Sequence, residues 1–222
     1  MKIQLSRLKW QVRGFRPYYW FKRKAIEHTS HFQPDIQAVP AVIPGSAQTA
    51  LRKAKKLPDW NVGNDSLLCQ WAEHFQWEFF VDLPKLKFKP ADKIVLHCEG
   101  LDYSGWIAVD GRHVAEFSGA LIRHRFDLTE HLSDGKAHQL SILFDLPPEE
   151  QGQAGYTSRT HFFKPRYNFS WDWTPRFVPI GIWDNLWLEV GPPQPRVLKV
   201  VPSLGKDLQT GRLDILIDSP RD

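Results

Sequence analysis

Ala137-His138-Gln139-Leu140-Ser141-Ile142-Leu143-Phe144-Asp145 is the stretch that decides the fold class. Leu140, Ile142 and Phe144 alternate with Gln139, Ser141 and Asp145. Successive side chains of a strand point to opposite faces, so one face is expected to enter a core while the other, Leu143 excepted, stays largely wet. Strands of this one-sided kind belong to an antiparallel sandwich.

Upstream, residues 105–109 and 114–117 flank Asp110-Gly111, a dipeptide that tolerates left-handed backbone and predicts a tight hairpin turn. Residues 77–83 and 93–98 are short, rich in aromatic or β-branched side chains, and separated by a turn region between Pro84 and Pro90. Earlier still, Ala47, Ala50, Leu51 and Ala54 recur at helical spacing while Arg52, Lys53, Lys55 and Lys56 take the other face. Ser46 can accept the free N–H groups of the first turn, which predicts one short amphipathic helix, ended by Pro58. Its basic face is a candidate anion site, with a solvated helix surface as the simpler reading. Residues 1 to about 45 read as an edge strand plus long connections, with an aromatic and basic patch from Phe15 to Trp20.

Downstream, the alternation stops between Pro147 and Lys164, where Gly, Gln, Ser and Thr fill a segment too long for a simple hairpin loop. A strand over 184–190 precedes Gly191-Pro192-Pro193-Gln194-Pro195, whose prolines cannot join a central ladder and mark a boundary. One sandwich is therefore expected over residues 1–190. Residues 196–201 and 212–218 look like two strands of a new sheet, and two strands cannot hide both faces by themselves. The segment 196–222 is expected to be the start of a second domain.

The 222 residues are 42% hydrophobic and 24% charged, a globular balance that speaks against disorder. The formal charge of +4 is spread over Lys and Arg that interleave with acidic residues, which fits a solvated surface better than a nucleic-acid footprint. Cys69 and Cys98 are the only cysteines, so a disulfide framework and paired zinc spacing are excluded and both thiols are expected to be buried and inert. No apolar stretch of signal-peptide or membrane-spanning length follows the N-terminus, and the expectation is a cytoplasmic chain with no membrane partner. Ten Trp are the outlier, since large aromatic faces pack sandwich cores and also stack on the apolar faces of sugar rings. Most must be core. His28 and His31 have no acidic or Cys partner near in sequence, so no metal site is expected, and no phosphate loop or Ser-His-Asp pattern is present.

The densest motif runs Tyr167-Asn168-Phe169-Ser170-Trp171-Asp172-Trp173-Thr174-Pro175-Arg176-Phe177-Val178-Pro179-Ile180-Gly181-Ile182-Trp183. It resembles the Gly-Trp-Asp-Trp-Gly-Pro-Arg segment, followed by Gly-Ile-Trp, in the N-terminal domain of β-mannosidases and related exo-acting family 2 glycosidases. Ser170 and Thr174 stand where that pattern has glycines. Further similar stretches fall in the family's order: residues 42–49, Gly63-Asn64-Asp65 with Trp71 and Trp77, residues 99–103, Val109-Asp110-Gly111 and Phe126-Asp127-Leu128-Thr129. The likeness covers roughly residues 38 to 190, and the first 35 match poorly. It implies an all-β fold: an antiparallel β-sandwich, jelly roll and galactose-binding-domain-like, with one short helix, followed by an immunoglobulin-like second domain begun at 196.

A carboxylate between two indoles can accept hydrogen bonds from adjacent sugar hydroxyls while an aromatic face covers the ring's C–H groups. If the segment is extended, Trp171 and Trp173 point to opposite sides, one toward ligand and one into the sandwich. The resemblance assigns sugar binding to Trp171 and Asp172, and Arg176 is expected to brace the loop through a carboxylate or carbonyl. Retaining hydrolysis needs two carboxyl groups roughly 5 to 5.5 Å apart. The family carries them as glutamates on a β/α barrel with no counterpart here, so no catalytic residue is assigned and no cofactor is expected. The implied partners are an oligosaccharide or glycoside substrate and the remaining domains of the polypeptide. A stand-alone carbohydrate-binding module using the same two residues is the alternative, and nucleic-acid binding through the basic helix a third.

Overall fold

The computed structural model describes residues 1–17, 33–148 and 162–219. Tyr18 to Trp20, His28, His31 and the middle of the Pro147–Lys164 segment lie outside the described residues.

The described strands pair antiparallel throughout. One layer is a sheet ordered β1 (Lys2–Gln4), β13 (Leu186–Gly191), β6 (Lys93–Cys98) and β10 (His124–Asp127). The other is ordered β3 (Ile36–Pro40), β2 (Gln11–Phe15), β5 (Gln76–Asp82), β11 (Gln139–Phe144), β8 (Ser104–Val109) and β9 (Arg112–Ser118). Ile94, Leu96, Leu186 and Leu188 of the first layer share one buried cluster with Val12, Trp77, Phe79, Ile107, Leu140, Ile142 and Phe144 of the second. Phe144 is the hub of the aromatic packing, meeting Phe79 and Phe117 edge-on at 5.6 and 5.4 Å between ring centres. The buried indoles of Trp10 and Trp77 donate to the Leu5 and Ala72 carbonyls, both at 2.8 Å, which satisfies their polar edges inside the core.

The sandwich and its hairpin agree with the sequence reading. Asp110 and Gly111 have φ of 50° and 74°, positive at both central residues as the primed hairpin turn requires. The helix is also present, as α1 (Ala47–Lys53), where Ser46 and Thr49 form a reciprocal capping box. It ends before Pro58. Lys55 takes φ 58°, and Lys55 and Lys56 donate to the Arg52 and Leu51 carbonyls at 2.9 and 2.8 Å, a Schellman stop that needs no proline. In addition there are α2 (Thr129–Leu132) and a 3-10 helix over Leu67–His74.

Two expectations are corrected. The N-terminal residues are more regular than an edge strand plus connections, for β1 and β2 join different sheets and β2 lies between β3 and β5. The second face of β11 is drier than expected: Ser141 is buried along with Leu143, while Gln139 and Asp145 are partly exposed. Ser141 donates its hydroxyl to Glu78 Oε1 at 2.7 Å, Glu78 in turn pairs with Arg13, and Leu143 packs with Phe15 and Ala108.

A third, small sheet joins β4 (Gly45–Ser46), β12 (Gly181–Ile182) and β7 (Leu101–Asp102) at one edge of the sandwich. Beyond the proline segment, β14 (Arg196–Leu204) and β15 (Gly211–Asp218) pair only with each other. Ile217, Ile215 and Leu213 stand opposite Val197, Val200 and Pro202 on one side of this ribbon, and all six are exposed.

Candidate functional site

The segment from Lys164 to Trp183 leaves the sandwich and returns, and its two limbs are fastened by buried polar side chains from other elements. On the first limb, the Lys164 ammonium is fully enclosed, donates to Asp102 Oδ2 and also donates to the Pro179 carbonyl at 2.9 Å. Burial favours the neutral form of both partners, raising Asp102 and lowering Lys164, while each charge opposes the shift of the other. On the second limb, Arg176 donates from Nε and Nη2 to Glu73 Oε2 at 2.9 and 2.8 Å. Glu73, buried on the 3-10 helix, also accepts from the Val178 N–H at 3.4 Å. Gln48 of α1 completes the fastening: its amide donates to the Val178 carbonyl at 2.7 Å and accepts from the Ile180 N–H at 3.2 Å.

Arg176 therefore braces the loop through a carboxylate, as its chemistry suggested. None of Glu73, Gln48, Asp102 and Lys164 was assigned a role from the sequence, although Gln48 and Asp102 lie in the family-like stretches 42–49 and 99–103. Gln48 left a trace there, as an amide within an otherwise small and apolar helix start.

Between the limbs the chain makes a tight turn. Trp171 donates its N–H to the Thr174 carbonyl at 3.0 Å and receives the Thr174 N–H at 3.3 Å. The reversal brings the indoles of Trp171 and Trp173 to 5.5 Å between centres, tilted by 56°. The extended arrangement, with one indole on each side, is thus corrected: a turn of this size places both on the same tip. Trp173 is 71% exposed and anchors nothing. Phe169 takes that role, buried beneath the Arg176 guanidinium at 5.2 Å, together with Phe177, whose ring meets Trp60 at 4.8 Å.

Asp172 sits at the apex, exposed, and makes no hydrogen bond or ion pair among the described residues. Both its oxygens are open to an external donor, with Trp171 half-buried beside it. Ser170, one of the two departures from the glycine pattern, has φ 99° and ψ 139°, a conformation that costs a side-chain-bearing residue of order 1 to 3 kcal/mol. Thr174 is not among the residues of positive φ. Among the described residues, no group of three or more His, Cys, Asp or Glu is arranged to hold a metal ion. Cys69 and Cys98 are buried free thiols, and burial raises the pKa of each.

A family model described as glycosyl hydrolase 2 galactose-binding domain-like matches residues 20–184. The chain belongs to this family. Among curated proteins, Beta-mannosidase B of Aspergillus clavatus is 29% identical over 162 residues, 67% of this chain and 19% of its own. Beta-mannosidase B of Aspergillus niger is 28% identical over 184 residues, 77% of this chain and 21% of its own. The chain thus spans about a fifth of the length of these relatives. Among solved structures, the Beta-D-mannosidase from Dictyoglomus thermophilum superposes with a TM-score of 0.76 at 22% identity, over 99% of this chain and 26% of that one. An exo-chitosanase from Amycolatopsis orientalis superposes with a TM-score of 0.63 at 15% identity, over 97% of this chain and 24% of that one. At these identities the likeness is one of fold, and it establishes the galactose-binding-like sandwich. No described helix is long and apolar enough to cross a membrane.

Proposed function

We propose that this chain is the N-terminal sugar-binding domain of an exo-acting β-glycosidase of the β-mannosidase type, in which Trp171 and Asp172 hold the terminal sugar. Bond cleavage falls to carboxylates elsewhere in the polypeptide. The observation that carries the reading is the exposed Asp172 carboxylate, without a partner among the described residues, on a turn whose two limbs are each braced by an ion pair with a buried carboxylate. A charged acceptor held still in this way suits adjacent sugar hydroxyls, since hydrogen bonds to charged groups contribute about 1.5 to 3 kcal/mol each. The relatives named above are chains about five times as long, which favours a domain of a larger enzyme over a stand-alone module.

The same reading gives the terminal ribbon a role. Its apolar side, Val197, Val200, Leu213, Ile215 and Ile217, needs cover that the sandwich does not supply, and further strands of an immunoglobulin-like second domain would provide it. The partners are then a glycoside substrate and the polypeptide's other domains. Cytoplasmic residence is part of the proposal, supported by two thiols that remain free and buried.

The test is kinetic. In the polypeptide that includes the barrel, Asp172→Ala is expected to lower kcat/KM on an aryl β-mannoside by roughly 10- to 100-fold, the loss of one charge-assisted contact. An unchanged kcat/KM in a folded variant counts decisively against Asp172 as a sugar ligand.

A further inference from the structure

The sequence contains two Asp-Gly pairs, Asp110-Gly111 and Asp134-Gly135, and the fold brings both aspartates to one histidine. His138 Nδ1 lies 2.6 Å from Asp110 Oδ2, and its Nε2 lies 2.7 Å from Asp134 Oδ1. Among the described residues, the charged groups that face the ring are these two carboxylates, one from the β8–β9 turn and one from the turn before β11. The chain just after β5 meets His138 through backbone alone, the Leu83 N–H donating to its carbonyl at 2.8 Å.

An aspartate followed by glycine carries a reaction of its own. The glycine nitrogen attacks the aspartate Cγ and gives up its proton, and one carboxyl oxygen leaves as water, which closes a five-membered succinimide. Water then opens the ring at either carbonyl. One opening restores aspartate; the other gives isoaspartate, in which the chain runs through Cγ and is longer by one methylene. Glycine favours the attack because it brings no side chain against the incoming carboxyl. Two conditions oppose it: the departing oxygen needs a proton, so an ionised carboxylate reacts slowly, and the side chain must turn until Cγ meets the next nitrogen.

His138 imposes both conditions on Asp134. Oδ1 of Asp134 accepts from the Lys136 N–H at 2.9 Å as well as meeting the ring, so rotation breaks two bonds at once. The Lys136 N–H first, and His138 with it, lower the Asp134 carboxyl to about 2. The two pairs differ in what remains without the histidine. Asp110 keeps two bonds to β11, accepting from the Gln139 N–H at 2.8 Å and donating its own N–H to the Gln139 carbonyl at 2.9 Å. Asp134 keeps partners on Lys136 only, the N–H and an exposed ammonium at 3.2 Å. Gly135 stands in the open, outside any strand, where a Cβ would meet nothing within 4 Å. We propose that Asp134 is a site of isoaspartate formation held in check by His138, and that loss of this clasp opens it before Asp110. Isoaspartate at 134 shifts the carboxylate off Nε2 and leaves His138 on Asp110 alone. Nothing in this depends on the Trp171–Thr174 turn.

The experiment ages the 222-residue chain at about pH 6, folded in buffer and unfolded in guanidinium chloride, and measures isoaspartate at each Asp-Gly pair by peptide mapping. In the folded protein, isoaspartate at Asp134 is expected to form at least roughly tenfold more slowly than in the unfolded chain, the rate cost of breaking charge-assisted bonds. Folded His138→Leu should recover most of that difference at Asp134 and little of it at Asp110. In the unaltered protein, the ratio of folded to unfolded rates at Asp134 should climb between about pH 6 and about pH 8.5 as His138 gives up its charge, the unfolded chain supplying the intrinsic pH dependence. That ratio decides the matter even if His138→Leu does not fold. Equal rates at Asp134 in folded and unfolded chains overturn the proposal, as does a ratio that stays flat with pH. So does a folded His138→Leu that remains as slow as the unaltered protein or isomerises first at Asp110.

Discussion

The limbs of the Lys164–Trp183 segment and the turn between them are only a few residues apart, yet they are built on opposite principles. The limbs bury charge: Lys164 with Asp102, Arg176 with Glu73, each held by further hydrogen bonds to backbone. The turn exposes it, leaving Asp172 without a partner among the described residues and Trp173 largely in solvent. Buried ion pairs add little net stability, because desolvation offsets the attraction, but they define geometry, and losing one partner strands the other. What the contrast teaches is that the residues that fasten this loop and the residues it exposes are different ones, and substitutions can separate them.

The largest effect is expected from stranding a buried charge. Asp102→Ala, which leaves the Lys164 ammonium enclosed and unpaired, should destabilise the chain by about 3 to 5 kcal/mol in urea denaturation, and Glu73→Ala by somewhat less because Arg176 is partly exposed. The double replacement Asp102→Leu with Lys164→Met should recover most of that loss. If the double variant is as unstable as the single one, the pair is a source of stability and the contrast with the turn is wrong.

A smaller effect is expected at the turn's entry. Ser170→Gly removes the side chain from a left-handed position and should raise stability by about 1 kcal/mol, whereas Thr174→Gly, at a position without positive φ, should lower it slightly. Equal and favourable effects at both positions in thermal denaturation contradict the turn geometry. Least of all, Asp172→Ala should change stability by no more than about 0.5 kcal/mol, since the side chain touches nothing that folding needs.

Away from the loop, His138 offers a control on the sandwich itself. Its Nδ1 meets Asp110 Oδ2 at 2.6 Å and its Nε2 meets Asp134 Oδ1 at 2.7 Å, joining the β8–β9 turn to the turn before β11. Burial works against charge on the ring, but the two carboxylates outweigh it and raise the pKa above the ordinary histidine value. Asp134 is correspondingly lowered to about 2, first by the Lys136 backbone N–H and then also by His138. A raised folded-state pKa means that the clasp contributes fully below the unfolded histidine pKa and is lost as pH rises through the folded value. Urea denaturation from about pH 5.5 to about pH 8.5 should show this decline, and His138→Gln should remove it.

Local chemistry was readable in the sequence wherever a few neighbouring residues decide the outcome. Asp110-Gly111 specified its hairpin, Ser46 its helix start, and the alternation through Leu140, Ile142 and Phe144 its core face. Decisions made by distant residues were not readable. Burial of Ser141 depends on Glu78, 63 positions away, and the loop braces join residues 62 and 103 positions apart. Likewise the Trp171–Trp173 stretch stood out by composition and resemblance, while the turn that puts both indoles on one tip depends on the Trp171–Thr174 backbone pairing, which no pattern announces.

The most direct measurement is a crystal structure of the chain together with the barrel proposed to accompany it, with a terminal mannoside bound. The expected result is Asp172 carboxylate oxygens within about 2.5 to 3.0 Å of sugar hydroxyls, with Trp171 against the ring and both braces intact. A sugar held entirely by other residues, with Asp172 turned to solvent or paired to a protein cation, would contradict it.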